Sequence, residues 1–158
     1  MDWDNDGVFD ELVSSGAVTH TFAAPGTYTI RVRGDFDSIR FDDGGDKLKI
    51  LSLDQWGSNA WATMEKSFHG CTNLTVPATD IPDFSAVTSM ELMFAFTDFA
   101  NPDTSGWDTS SVQNMIGVFF VAQGADPDVS GWDTSSVTDM TVMFHVAILA
   151  NPDVGGWD

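Results

Sequence analysis

The sequence predicts an α/β solenoid, a stack of short parallel strands and short helices closed at its N-terminal end by a small β-hairpin cap. Three observations predict it: a 25-residue internal repeat, an apolar pattern inside each repeat, and an opening stretch of different, β-forming character. Trp107, Trp132 and Trp157 are 25 residues apart. Val87, Val112 and Val137 keep that step, as do Met90, Met115 and Met140, and Phe94, Phe119 and Phe144. With one extra residue allowed, Trp56, Trp61, Met64 and Phe68 form an earlier, divergent copy. Units therefore start near positions 56, 82, 107 and 132, with a truncated one at 157. Periods of about 20–50 residues signify supersecondary units that stack, because no unit buries its apolar face alone.

In chain order, residues 1–54 read as a β-rich cap. VTHTF and YTIRVR flank the turn AAPGT, alternating β-formers around Pro25-Gly26, and predict a hairpin over 18–33. Ser38 to Phe41 is a further extended piece, and Leu48 to Leu53 reads as a strand leading into the repeats. Residues 55–158 are the solenoid. Ser85, Ser110 and Ser135, with Asn59 in the first copy, are helix N-cap residue types, and Gln113 completes a capping box with Ser110. Val112, Met115 and Phe119 then follow at i, i+3 and i+7, one face of a short helix. That helix must stop before the next Asn-Pro-Asp or Asp-Pro-Asp. Thr104 to Trp107 and Val129 to Trp132 supply the short strands. One helix and one strand in each unit is leucine-rich-repeat-like geometry. Stacking would bury Trp56, Met64, Phe68, Met90, Phe94, Trp107, Val112, Met115, Phe119, Trp132, Val137, Met140 and Phe144. Each large side chain removed from water contributes about 1.5–3 kcal/mol.

Charge restricts the partners. The chain carries 6 basic and 24 acidic side chains, a net charge of -18, and no Lys or Arg occurs after Lys66. Such a surface excludes nucleic acid and anionic lipid as partners. No apolar run reaches membrane-spanning length, and the opening MDWDNDGVFDE is not a signal peptide. A hydrophobic share of 42% is enough for a packed core. Repulsion among unpaired acids is best tolerated in a salty or calcium-containing exterior. The single Cys71 excludes an internal disulfide and a cysteine-rich zinc site.

The repeat WDTSSVTDMTVMF, preceded by NPDVSG, resembles the BspA-like leucine-rich-repeat bacterial surface proteins. SFHGCTNLTVP, Ser67 to Pro77, is similar to the related treponemal-type repeat. VTHTFAAPGTYTIRV resembles the end of a PKD-type β-sandwich, with DWDNDG as the turn before it. These resemblances imply a surface-exposed or secreted protein of adhesion, with no enzymatic residues to carry over.

Two constellations are candidate sites. Asp2, Asp4, Asp6 and Gly7 spell the start of a calcium loop, alternating hard oxygens before a glycine turn. The twelfth loop position holds Val13 instead of glutamate, so an acidic β-turn is the competing reading. Asp103, Asp128 and Asp153 form one column of the stack and Asn101, Asp126 and Asn151 its neighbour. Like charges at the strand spacing of about 5 Å are costly unless bonded or bridged, which suggests a cation or ligand ladder. Turn chemistry, Asx-turns beside proline with Asp108 and Asp133 helping to hold helix starts, is the reading preferred to the ladder. His20, His69 and His145 are scattered, and no nucleophile elbow, P-loop or dinucleotide fingerprint occurs.

The expectation is a non-enzymatic extracellular or cell-surface module that mediates adhesion by binding a protein or glycan. No cofactor is required, and Ca2+ is the one ion to consider. Two alternatives stand beside it. One is a structural subunit associating head-to-tail through an open repeat end near Trp157-Asp158. The other is a calcium-dependent carbohydrate binder.

Overall fold

The computed structural model describes residues 1–11 and 18–157. They belong to two compact units, Met1–Asp35 and Phe36–Asp158.

The second unit is a stack of coils that begin at Trp56, Pro82, Trp107 and Trp132. A backbone ladder joins each coil to the next. Alternate N–H groups of Met64, Lys66, Phe68 and Gly70 donate to the carbonyls of Ser89, Glu91, Met93 and Ala95 at 2.7–3.1 Å. Met90, Leu92, Phe94 and Phe96 donate likewise to Asn114, Ile116, Val118 and Phe120 at 2.8–2.9 Å. Met115, Gly117, Phe119 and Val121 repeat the pattern onto Asp139, Thr141, Met143 and His145 at 2.8–3.0 Å. N–H groups between these fold back within the coil, Met93 to Met90, Ala95 to Leu92, Phe120 to Gly117 and Ala122 to Phe119. Main-chain N–H groups are thereby satisfied alternately, by stacking on the next coil and by turns within their own.

Side chains follow the same register. Phe68, Phe94, Phe119 and Phe144 form a row of near-parallel rings with centroids 5.4, 5.8 and 5.7 Å apart. Trp107, Trp132 and Trp157 form another, at 6.0 and 6.5 Å. Pro82 occupies the tryptophan column one coil earlier. There Phe84 fills the space, 5.9 Å from Trp56 and 5.0 Å from Trp107, and the two indoles meet edge-on at 5.6 Å. Such aromatic pairs add about 0.5–1.5 kcal/mol each beyond the area they bury. Trp56, Met64, Met90, Val112 and Met115 are buried in the same core, and Val137 and Met140 pack on it half-buried. Phe36, Ile39, Phe41, Ile50 and Leu53 close its N-terminal side, where Phe41 and Asp42 donate to the carbonyls of Ser67 and Lys66.

The α/β reading is corrected by this arrangement. Among the described residues there is no helix and no sheet, only five isolated β-bridges. The segments read as helices after Ser85, Ser110 and Ser135 are chains of turns. Lys66, Leu92, Gly117 and Val142 all have left-handed backbone (φ 53–56°), as do Gly70, Phe96, Val121 and Val146 four places later (φ 55–77°). Two left-handed residues per segment are incompatible with a right-handed helix. The i, i+3, i+7 pattern nevertheless puts Val112, Met115 and Phe119 into one core, because the turns return the chain to the same side.

The strands are also corrected. Thr104 to Trp107 and Val129 to Trp132 are closed turns, with Trp107 N–H donating to Thr104 O and Trp132 N–H to Val129 O. Leu48 and Lys49 lie in a turn, and the stretch contributes one parallel bridge, Ser52 with Thr75.

The first unit lacks the hairpin over 18–33. Arg31 exchanges both backbone hydrogen bonds with Asp2, at 2.8 and 2.9 Å, instead of pairing with 18–22. Rings replace the ladder there: Trp3 stacks on His20 at 4.6 Å, and Phe22 on Tyr28 at 3.9 Å.

Candidate interaction surface

Most of the acidic positions of the stack close their own turns. Asp103, Asp108, Asp128 and Asp133 each accept, through Oδ1, both the N–H and the hydroxyl of the serine two residues on, at 2.6–3.2 Å. Asp83 does the same with Ser85, Asp139 with Thr141, and Asp153 accepts the Gly155 N–H at 3.0 Å. These are Asx-turns, the local chemistry that aspartate performs best. In the six aspartates other than Asp153, the hydroxyl bond first and the N–H bond second hold the carboxyl below the ordinary range. Asp128 beside Asp103, and Asp133 and Asp83 beside Asp108, oppose that lowering. All seven carboxylates are exposed or half-exposed and held in a fixed orientation by these bonds.

The Asn101, Asp126 and Asn151 column is built differently. Asp126 N–H donates to Asn101 Oδ1 at 2.8 Å, and Asn151 N–H to Asp126 Oδ1 at 3.0 Å. Each side chain therefore ties the next coil to its own, and asparagine serves as well as aspartate because only the acceptor oxygen is used. These three residues hold the coil register.

In the first unit, Asp2, Asp4 and Asp10 present carboxylate oxygens that all lie within 4.8 Å of one another. Asp6 is not part of that group and instead accepts the Val8 N–H at 2.7 Å. Asp2 is buried, and its two oxygens accept the N–H groups of Asn5 and Gly7 at 2.7 and 3.1 Å. Asp10 accepts the Trp3 N–H at 3.0 Å. The acidic turn is thus assembled by its own backbone. Val13 lies outside the described residues.

Other chemistry is sparse. A cleft of about 130 Å³ is lined by Thr79, Asp80, Ile81, Asp103, Ser105 and Gly106. It is smaller than ordinary small-molecule sites of roughly 300–1,000 Å³. Asp80 already accepts the N–H groups of Trp56 and Gly57 at 3.0 and 2.8 Å. Cys71 is fully buried, and burial pushes its thiol up to about 12, so it stays a neutral apolar group.

One feature escaped the sequence reading. Phe96, Phe99, Val142, Val146, Ile148 and Leu149 are large apolar residues left exposed on the second and fourth coils. Between them, Phe120 meets Phe96 edge-on at 5.3 Å and stacks on His145 at 5.5 Å. Phe96, Val142 and Val146 lie in the left-handed columns, which Gly70 and Gly117 mark in the sequence, whereas Phe99, Ile148 and Leu149 lie outside them.

Residues 51–158 match the model of a family described as Mycoplasma protein of unknown function, DUF285. No curated protein and no solved structure matches the chain.

Proposed function

The chain belongs to the DUF285 family, and from its surface we propose that it is a non-enzymatic interaction module of the cell exterior, which adheres by binding a protein. One observation carries this reading. Exposed aspartates recur in coil after coil, each held in place by its own turn, while no cationic side chain occurs after Lys66. Such rows create a one-signed field that steers an oppositely charged macromolecule and repeats the same contact at each coil. A solenoid surface of this kind binds through many modest contacts instead of one deep pocket. The likeness of the repeat to BspA-like surface proteins favours the same reading.

Binding of a protein is favoured over calcium-dependent binding of a glycan. Asn101 Oδ1 and Asp126 Oδ1 already receive backbone N–H groups, which makes that column a tie between coils first and a weaker calcium candidate. Adhesion of chain-coated beads to cultured cells tests the proposal. Adhesion that survives chelator, weakens at high salt and disappears after protease treatment of the cells is the expected result. No adhesion, or adhesion abolished by chelator or by glycosidase treatment, overturns it.

A further inference from the structure

We propose that the apolar ridge of the second to fourth coils docks an amphipathic, basic segment of a partner protein. This rests on the reading of the chain as a protein-binding module and names the surface and the partner chemistry.

The ridge is exposed on the second and fourth coils and bridged by half-buried residues of the third. Phe96, Val121 and Val146 share one column of the repeat, and Phe99, Gly124 and Leu149 share another. Gly124 lies so close to the preceding coil that a Cβ there would sit 2.5 Å from Asp98 O and 3.5 Å from Phe99 Cα. The glycine therefore lets the backbone at Asp98 and Phe99 lie directly against the next coil. Phe96, Phe120 and His145 carry the contact onward ring by ring. Phe99, Ile148 and Leu149 remain 63%, 68% and 62% exposed. Single exposed apolar residues need no explanation, but a set that recurs in the same columns of successive coils fits a surface that another molecule covers.

Charge selects that molecule. In sequence the ridge positions fall between Glu91 or Asp139 on one side and Asp103, Asp128 or Asp153 on the other, with Asp98 among them. No Lys or Arg lies in these three coils. A second copy would bring the same acids to the contact, and like charges facing one another oppose association. Anionic lipid is repelled for the same reason. Phe120 and His145 stack face to face at 12°, which covers one face of each ring. A peptide segment with apolar residues along one side and Lys or Arg along its flanks suits both the apolar ridge and the wholly anionic coils that carry it.

Fluorescence anisotropy with three labelled synthetic peptides tests this: an amphipathic leucine–lysine peptide, its leucine–glutamate counterpart, and an oligolysine of equal charge. At physiological salt the leucine–lysine peptide should bind, the glutamate peptide should not, and oligolysine should bind about tenfold more weakly. Phe99→Ser, Ile148→Ser and Leu149→Ser combined should weaken the leucine–lysine peptide about tenfold, whereas Val154→Ser should not. Leu149→Lys, a single exposed change, should weaken it as well and covers the case in which the triple variant folds poorly. Oligolysine binding equally well, variants without effect, or preferential capture of phosphatidylcholine vesicles overturns the proposal. The triple variant on beads separates the two readings. Beads of the unaltered chain that fail to adhere to cells contradict the adhesive role. Triple-variant beads that adhere as well as the unaltered ones contradict only the ridge.

Discussion

The two units solve the same problem with different means. Phe36–Asp158 reuses one set of contacts: the phenylalanine row, the tryptophan row and the alternate-residue ladder recur from coil to coil. The described residues of Met1–Asp35 have one antiparallel bridge, one buried tryptophan and an acidic turn that bonds to its own backbone. Its Tyr28, Ile30 and Val32 stay exposed. A side chain in a repeating coil is covered from both sides by its own equivalents, whereas one in the short first unit must find a unique partner. Periodicity, not residue hydrophobicity, separates the two cores.

The largest expected effect breaks the comparison at its strongest point. Phe119 is fully buried between Phe94 and Phe144, so Phe119→Ala should cost about 3–5 kcal/mol in chemical denaturation. Trp3→Ala, in the first unit, should leave the main unfolding transition of the second unit in place. Next comes Gly124→Ala. Its Cβ would meet backbone, Asp98 O at 2.5 Å, which no rotamer change relieves, and a loss of about 1–3 kcal/mol is expected in the same assay. Gly131→Ala should be milder, since its nearest neighbour would be 3.8 Å away.

Much of the stack was legible in the sequence, and the helices were the error. The 25-residue columns of Trp, Met and Phe locate the core side chains because any stacked coil must return the same residue to the same place. They do not specify the path between columns. Val112, Met115 and Phe119 satisfy a helical spacing, yet Gly117 between them takes left-handed backbone, and Leu92 and Val142 do so without being glycine. Propensity gave no warning, since valine and leucine are ordinarily excluded from that region. The acidic columns were legible as turn chemistry through Asp-x-Ser, repeated at 83, 103, 108, 128 and 133. The column of Asn101, Asp126 and Asn151 was visible as a column, but its coil-to-coil bonds depend on stacking geometry. In the first unit, alternation around Pro25-Gly26 suggested a hairpin, and the pairing of Arg31 with Asp2 depends on contacts that no local pattern encodes.

Two smaller effects sharpen the same comparison. Val142 has φ 54° and is 43% exposed, so Val142→Gly relieves a left-handed valine at little packing cost. A gain of about 0.5 kcal/mol is expected by denaturation, the strain released less the extra chain entropy of glycine. The smallest effect depends on pH. Asp108 titrates below its ordinary value of 3.8 when folded, so its contribution is fully present above that value. It is lost as pH falls through the lower folded value. Ser110→Ala removes the hydroxyl that contributes most to this lowering. The variant should therefore be slightly less stable than the parent at neutral pH, with the difference fading on acidification. A carbon-detected titration should show the Asp108 midpoint moving up toward 3.8 in the same variant.

The most direct test of the coil-to-coil ladder is the through-hydrogen-bond scalar coupling of the Phe119 amide nitrogen in isotope-labelled protein. The stacked coils predict a coupling to the Met143 carbonyl carbon, 24 residues ahead, with equivalent couplings from Met115 to Asp139 and from Val121 to His145. A coupling from Phe119 to the carbonyl of Met115, four residues back as in a helix, would contradict the account.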